Sequence, residues 1–302
     1  MTQNHLIFKY AGVILLLSPL LNCSCKKESK DTNGIRLSSI YYPFKDNPEH
    51  KLVYSMSYTN NALTEVLLHE QTNTDTTIPF SKTTYSYFEN KILQENYSEN
   101  NNNWKLQNRT TYEVKNNLIT SALYEPKKGS GSESAYKIIY EYEGNHLVRW
   151  TRYISITTAN WQEDEKSEFI YKNDTLNEVH EFSDYNNGTW VKSGKLGFEY
   201  EKGKICQLVH YIWQSDSFVI NYTQPYIYDA NKIISIKTEG LAIDKFFYNS
   251  TGYLSVIQNG NSYYFSTQTY QYEQGTGNIA FINYLNNPIY IFEKHPLVTS
   301  LR

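Results

Sequence analysis

Between about residue 50 and residue 290 apolar and polar positions alternate with a period of two, and the alternation comes in blocks. Each block holds two aromatic or apolar residues flanking a third: Tyr85-Ser-Tyr87, Tyr112-Glu-Val114, Tyr140-Glu-Tyr142, Phe169-Ile-Tyr171, Phe198-Glu-Tyr200 and Tyr226-Ile-Tyr228. The first members stand 27, 28, 29, 29 and 28 residues apart. Met56-Ser-Tyr58 extends the series upstream by 29, and Phe246-Phe-Tyr248 and Tyr270-Gln-Tyr272 continue it at 20 and 24. Two further positions keep the register. An aliphatic residue follows the first aromatic by seven at Leu63, Ile92, Leu147, Leu176, Ile205 and Ile233, and a Trp precedes it by eight at Trp104, Trp161 and Trp190.

Residues two apart share one face of a strand, so Tyr140 and Tyr142 face one way and Glu141 and Glu143 the other. Turn residues follow each pair: Gly144-Asn145, Asn173-Asp174, Gly203-Lys204 and Ala230-Asn231. Such dipeptides between period-two segments predict hairpins. A second strand starts at the aliphatic residue, and the Trp positions fall beside the next turn, as in Asn186-Asn187-Gly188-Thr189-Trp190. Each repeat therefore supplies about two strands and the chain about 16–20. No segment combines a helical period with caps. The expected fold is all-β: an antiparallel meander of repeated hairpins, about 28 residues each, in a rolled or barrel-like, soluble sheet. Its aromatic rows lie inside and its charged rows in water, an alternation unsuited to a lipid-facing wall.

Composition sharpens this picture. The chain has 29 Tyr against 2 Met, and aromatic residues make up 16% of it. That favours strands, whose half-buried surfaces suit aromatic side chains. The net charge of -3 and pI of about 6.2 give no field that attracts nucleic acid. Three cysteines, Cys23, Cys25 and Cys206, provide no disulfide framework, and Cys206 in a strand-like stretch is expected to be buried and inert.

The N-terminus reads as an address. Residues 10–21 form an apolar run too short to span a bilayer and suited to a signal peptide. The sequence Asn22-Cys23-Ser24-Cys25 that follows resembles the lipobox of bacterial lipoproteins. Ser24 supplies the small residue expected before the cut, so the resemblance implies lipidation of Cys25, with Cys23 as the alternative. The expected domains are residues 1–24 as signal peptide, 25–45 as tether and lead-in, and 46–302 as one repetitive β domain. Acyl chains on the thiol would contribute roughly 0.8 kcal/mol per buried methylene, enough in combination for a durable anchor.

Candidate chemistry is sparse. The seven histidines show no His-x₃-His or His-Glu-x-x-His spacing, and no metal site is expected. His180 and His210 sit one repeat apart on matching strands and are candidates to be neighbours. Glu163-Asp164-Glu165 is a local acidic run, and a hydrolytic carboxylate pair would have to converge across a cleft. Gly129-Ser130-Gly131-Ser132 reads as a hairpin tip. No nucleophile elbow, phosphate loop or calcium loop occurs. Trp104, Trp161, Trp190 and Trp213 lie near turns, either capping the aromatic core or, on an exposed rim, stacking on a glycan or protein partner. No catalytic residue and no cofactor is assigned.

Tyr226-Ile-Tyr228-Asp229 and Tyr140-Glu-Tyr142-Glu143-Gly144-Asn145-His146-Leu147 resemble the tyrosine-rich YD repeats of Rhs-type proteins. The pattern is also similar to Bacteroidota lipoproteins of unknown function described as porin-like in fold. Together the resemblances imply a lipid-anchored protein of the cell envelope, outer membrane foremost, that binds or scaffolds without catalysis. Two other readings stay open: an enzyme, for instance a glycan hydrolase, with a site assembled from distant residues, and a channel- or shell-like part of a secretion or uptake assembly.

Overall fold

The computed structural model describes residues 35–274, apart from short stretches within some connections between strands; the signal peptide, Cys23, Cys25 and the Gly129–Ser132 tip lie outside the described residues. Eighteen strands follow one another: β1 (Ile35–Pro43), β2 (Lys51–Thr59), β3 (Ala62–Gln71), β4 (Thr77–Phe88), β5 (Lys91–Asn100), β6 (Asn103–Lys115), β7 (Leu118–Pro126), β8 (Tyr136–Glu143), β9 (His146–Ser155), β10 (Trp161–Lys172), β11 (Thr175–Asn186), β12 (Thr189–Glu201), β13 (Lys204–Gln214), β14 (Ser217–Asp229), β15 (Lys232–Ile236), β16 (Asp244–Tyr248), β17 (Leu254–Gln258) and β18 (Thr267–Gln274). Each pairs with the next, and β1 also pairs with β18, so the antiparallel meander closes into a barrel. β1 falls inside the stretch expected to serve as tether. At the seam Arg36 Nε lies 2.6 Å from Glu273 Oε1, and its guanidinium lies 4.4 Å from the Tyr58 ring centroid.

The even strands from β2 to β18 run toward one end, here the tyrosine end, where the aromatic pairs sit. The turns there are tight. Asn173-Asp174 and Lys202-Gly203 carry positive φ at both central positions. This is the twist that matches right-handed strands in a two-residue hairpin. The second of these turns is centred one residue earlier than the Gly203-Lys204 expected, because Glu201 pairs with Lys204 across it.

Seven of these hairpins share a feature that the spacing alone does not reveal. The register slips by one residue between Ser57/Tyr58, Glu113/Val114, Glu141/Tyr142, Ile170/Tyr171, Glu199/Tyr200, Ile227/Tyr228 and Phe247/Tyr248. The extra residue follows the buried aliphatic: Thr64, Thr120, Val148, Asn177, Cys206, Ile234 or Ser255. A bulge re-aims the chain and strengthens local twist. Cys206 directly follows inward-facing Ile205 and so lies off the inner row, and its thiol is partly exposed rather than buried as expected.

Beyond the bulge each hairpin separates from the next. The β9–β10 ladder ends at Arg149–Glu168, short of Leu147, and the β11–β12 ladder ends at Glu178–Gly197, short of Leu176. The carbonyl of the buried aliphatic residue is thereby left without a strand partner, and in seven repeats the second aromatic of the following repeat donates its hydroxyl to it; Tyr228, in the repeat after Ile205, makes no such bond among the described residues. Tyr58 reaches Leu37 O (2.6 Å), Tyr87 reaches Leu63 O (2.9 Å) and Tyr142 reaches Ile119 O (2.9 Å). Tyr171 reaches Leu147 O (3.2 Å), Tyr200 reaches Leu176 O (2.7 Å), Tyr248 reaches Ile233 O (2.7 Å) and Tyr272 reaches Leu254 O (2.6 Å). Those seven aliphatic residues are each at most 1% exposed. The first aromatics, among them Tyr85, Tyr112, Tyr140, Phe169, Phe198 and Tyr270, are buried beside them.

The unit β4–β6 departs from this scheme. Tyr87 pairs with Ile92 and Ser86 with Leu93, without a bulge. Glu89 and Asn90 are not among the positive-φ residues. The β5–β6 ladder runs on to Lys91–Glu113, and Val114 N donates to Asn90 O at 2.9 Å. With the backbone itself continuing the ladder, no hydroxyl is needed, and position 114 holds Val in place of Tyr.

Two measurements check this account. Tyr171→Phe is expected to lower unfolding free energy by about 1–3 kcal/mol in urea, the cost of leaving a buried carbonyl unsatisfied. An effect within error would refute the role given to the hydroxyl. Alkali gives the second test. Burial pushes Tyr54 up to about 12, and burial with the neighbouring Cys206 does the same to Tyr228. Burial and then Tyr228 raise Tyr248 to about 12. In the unfolded chain these phenols ionise near 10, so the stability they confer is complete below pH 10 and drains away as pH rises toward about 12. The last part of the phenolate absorbance should therefore rise late and together with loss of the sheet's circular dichroism; ionisation of the full tyrosine complement near 10 with the sheet intact would contradict the buried tyrosine row.

Candidate binding surfaces of the barrel wall

Three positions before the first aromatic, four repeats carry a lysine: Lys82, Lys137, Lys166 and Lys195. An odd offset places them on the opposite face from the buried rings, which is the outer wall. There each ammonium lies between two rings from the next two strands. Lys82 is 5.3 Å from the Tyr97 centroid and 4.7 Å from Trp104. Lys137 is 4.9 Å from Tyr153 and 5.2 Å from Trp161. Lys166 is 4.4 Å from Phe182 and 5.1 Å from Trp190. Lys195 is 4.5 Å from Tyr211 and 5.2 Å from Phe218, which stands where other repeats have Trp. Trp213 is held in the same way by Lys192 at 4.7 Å. Such contacts contribute about 0.5–1 kcal/mol at exposed sites. Trp104, Trp161, Trp190 and Trp213 are thus half-buried outer-wall residues, tied to lysines, and do not cap the inner core. The fifth tryptophan, Trp150, packs against the inner core instead.

Acidic groups interleave with this row. Lys166 Nζ is 2.8 Å from Glu168 Oε1, and Lys195 Nζ is 3.1 Å from Glu178 Oε1. Arg109, at the lysine position of its own repeat, binds Glu95 at 2.6 Å. Burial pushes the Glu178 carboxyl up, but hydrogen bonds from His180 and Lys195 outweigh it, and the net shift is downward.

The two candidate histidine neighbours lie on opposite faces. His180 is on the outer wall, its Nε2 2.7 Å from Glu178 Oε2. His210 pairs with Leu196 on the inner side and stacks on Tyr222 at 4.8 Å, with Nδ1 accepting from Asn221 Nδ2 at 3.1 Å. Burial lowers its pKa. The reason is parity: His180 is four residues past its repeat's aliphatic and His210 is five. The acidic run is spent on neighbours as well. Arg152 grips Asp164, and also Glu165 at 2.9 Å, while Tyr153 OH reaches Glu163 at 3.4 Å. Among the described residues no group of three His, Cys, Asp or Glu is placed to hold a metal ion.

The inner face has two storeys. The tyrosine end is apolar; above it, toward the opposite end, polar groups take over. Across β4, β5 and β6 they form a connected row. Tyr112 OH donates to Gln94 Oε1 at 3.0 Å, and Thr83 Oγ1 to Asn96 Oδ1 at 2.7 Å. Gln94 Nε2 donates to Asn96 Oδ1 at 3.4 Å, and Asn96 Nδ2 to Asn108 Oδ1 at 2.5 Å. On β7 and β8 the row continues as Tyr124 and Tyr136, stacked at 4.6 Å and 14°. Neither this row nor the lysine ladder was assigned from sequence. The lysine offset is as regular as that of the Trp and was there to be found; the amide row shows only once the strand register is known.

No family model matches the chain, and none of the curated proteins does. Among solved structures, a porin-like protein from Bacteroides vulgatus ATCC 8482 is similar at 11% identity and a TM-score of 0.43, over 78% of this chain and 98% of that one. A protein of unknown function from Bacteroides fragilis NCTC 9343 is similar at 13% identity and a TM-score of 0.25, over 48% of this chain and 89% of that one. The TcdB2-TccC3 structure matches 74% of this chain at 11% identity and a TM-score of 0.29, and only 16% of that chain is covered. What this chain itself establishes is the architecture: an all-β barrel of antiparallel hairpins.

Proposed function

We propose that the protein is a lipid-anchored component of the cell envelope, held at the outer membrane by Cys25, that binds or scaffolds through its barrel wall and performs no catalysis. The observation that carries this reading is the ionic outer wall. Glu95 with Arg109, Glu141 with Arg149 and Glu178 with Lys195 sit in the strands' outer rows. A wall bathed in lipid needs a continuous apolar band, and charges near its midplane cost about 2–4 kcal/mol each for Arg or Lys. The wall is therefore suited to water, and membrane attachment falls to the N-terminus.

The topology gives such an anchor a direction. β1 is antiparallel to β2, so it starts at the tyrosine end. Residues 26–34 separate Cys25 from Ile35, which can therefore lie at most about 35 Å apart. The closely packed end then faces the membrane, and the polar inner storey faces away from it.

Fractionation of cells tests the anchor. The unaltered chain is expected in the membrane pellet and the Cys25→Ala variant in the soluble envelope fraction, with Cys23→Ala behaving like the unaltered chain. Retention of Cys25→Ala in the pellet would overturn the assignment.

A further inference from the structure

Repeat architectures reveal specialised sites where one unit breaks a pattern the others keep, because local departures from consistent packing concentrate at functional positions. The unit β4–β6 breaks it four times over: no bulge, no left-handed turn, Val114 for Tyr, and Gln94 for an apolar residue. The fourth is the most telling. On the first strand after each turn, the inner residue paired with the first aromatic or lying next above the aliphatic is Val66, Ala122, Trp150, Val179, Leu208, Ile236 or Ile257; in this unit alone it is Gln94, only 2% exposed. A buried amide gains nothing in stability over an apolar residue of similar size, and it requires a partner network to be tolerated at all. That network leads from Gln94 to Asn96 and Asn108, which are only half-buried and face the inner storey.

We infer that this row is a binding site for a neutral, polyhydroxylated ligand, an oligosaccharide segment lying across β4 to β8. The inference rests on the reading of the barrel as a binding protein and names its ligand class. Four interstrand steps span about 19 Å, room for several sugar units. Within the row Asn108 spends its carbonyl oxygen on Asn96, and among the described residues no partner takes its amide N–H groups. Thr83 donates to Asn96 and retains acceptor capacity. A sugar hydroxyl both donates and accepts, and so satisfies either. Two strands along, the stacked Tyr124 and Tyr136 offer apolar ring faces of the kind on which a pyranose packs. The row from Thr83 to Tyr136 carries no charge at neutral pH, and the guanidinium at its margin, Arg152 opposite Ile138, is already engaged by Asp164 and Glu165, so an anionic ligand finds no free counter-charge.

Calorimetry on the full chain in detergent solution tests this, with cellohexaose, maltohexaose and mannohexaose as neutral probes and hexagalacturonate as a charged one. At least one neutral hexaose is expected to bind, and Asn108→Leu and Tyr124→Leu are each expected to weaken it about tenfold or more. Gln94→Leu combined with Tyr112→Phe restores residue types found in the other repeats and leaves no buried hydroxyl without an acceptor; it should weaken binding while the melting temperature holds or rises, which a purely structural amide would not allow. Ile156→Ser, at an exposed turn, should change nothing. Binding of none of the neutral probes, preference for the charged one, or affinity untouched by Asn108→Leu would overturn the proposal. So would loss of binding in the Trp161→Ala, Trp190→Ala double variant alone, which would put the ligand on the outer wall. Membrane retention of the cysteine variants is blind to all of these outcomes, so failure of the ligand and failure of the anchor are told apart.

Discussion

One hydrogen bond, from a tyrosine hydroxyl to the carbonyl of a buried aliphatic residue in the preceding hairpin, reconciles the two demands on this barrel. Most neighbouring hairpins separate near one end of the barrel, and burial forbids the carbonyls exposed by that separation from going unpaired. Tyr171 on Leu147 and Tyr200 on Leu176 solve the conflict in the same way, with an apolar ring filling the space and a polar tip meeting the carbonyl. Neither Phe nor Leu offers both, which accounts for Tyr at this position of the repeat. Where the separation does not happen, at β5–β6, the hydroxyl is dispensed with, and Val114 shows the rule by its exception.

The outer wall answers a different need. Its rings and charges are not segregated into stripes. A lysine lies between two rings and often beside a carboxylate, as Lys195 does with Tyr211, Phe218 and Glu178. The long methylene stem covers apolar surface while the ammonium stays hydrated. Val209, on this outer side, is only 2% exposed. Gly197 beside it leaves room for the Tyr211 ring, whose nearest carbon would lie 3.3 Å from an added Cβ. The wall thus has a thin second core of its own, stapled by cations.

Much of the fold was legible from sequence because it depends on parity and spacing. Aromatic pairs two apart, an aliphatic seven on and a turn between them dictate hairpins, and Asn173-Asp174 formed the turn expected of it. Bulges were not legible. They insert one residue without altering the period between repeats. The opposite faces of His180 and His210, by contrast, follow from parity alone, since both of their repeats carry the same bulge. The candidate surfaces were legible in part. The Trp positions were identifiable, but whether they face in or out depends on the lysines beside them. The amide row needed the cross-strand register, since Gln94, Asn96 and Asn108 become neighbours only through the β5–β6 pairing.

The seam between β1 and β18 joins Ile35 to Gln274. For a chain that emerges N-terminus first, the opening strand must wait until nearly all the rest has been delivered before it acquires its second neighbour. Throughout that interval the growing sheet has two raw margins, each able to capture a stranger in place of the rightful mate. Local hairpins assemble early and the ring locks late, so the delicate period of this protein's life is its maturation, and whatever shields those margins during delivery decides how much of it survives.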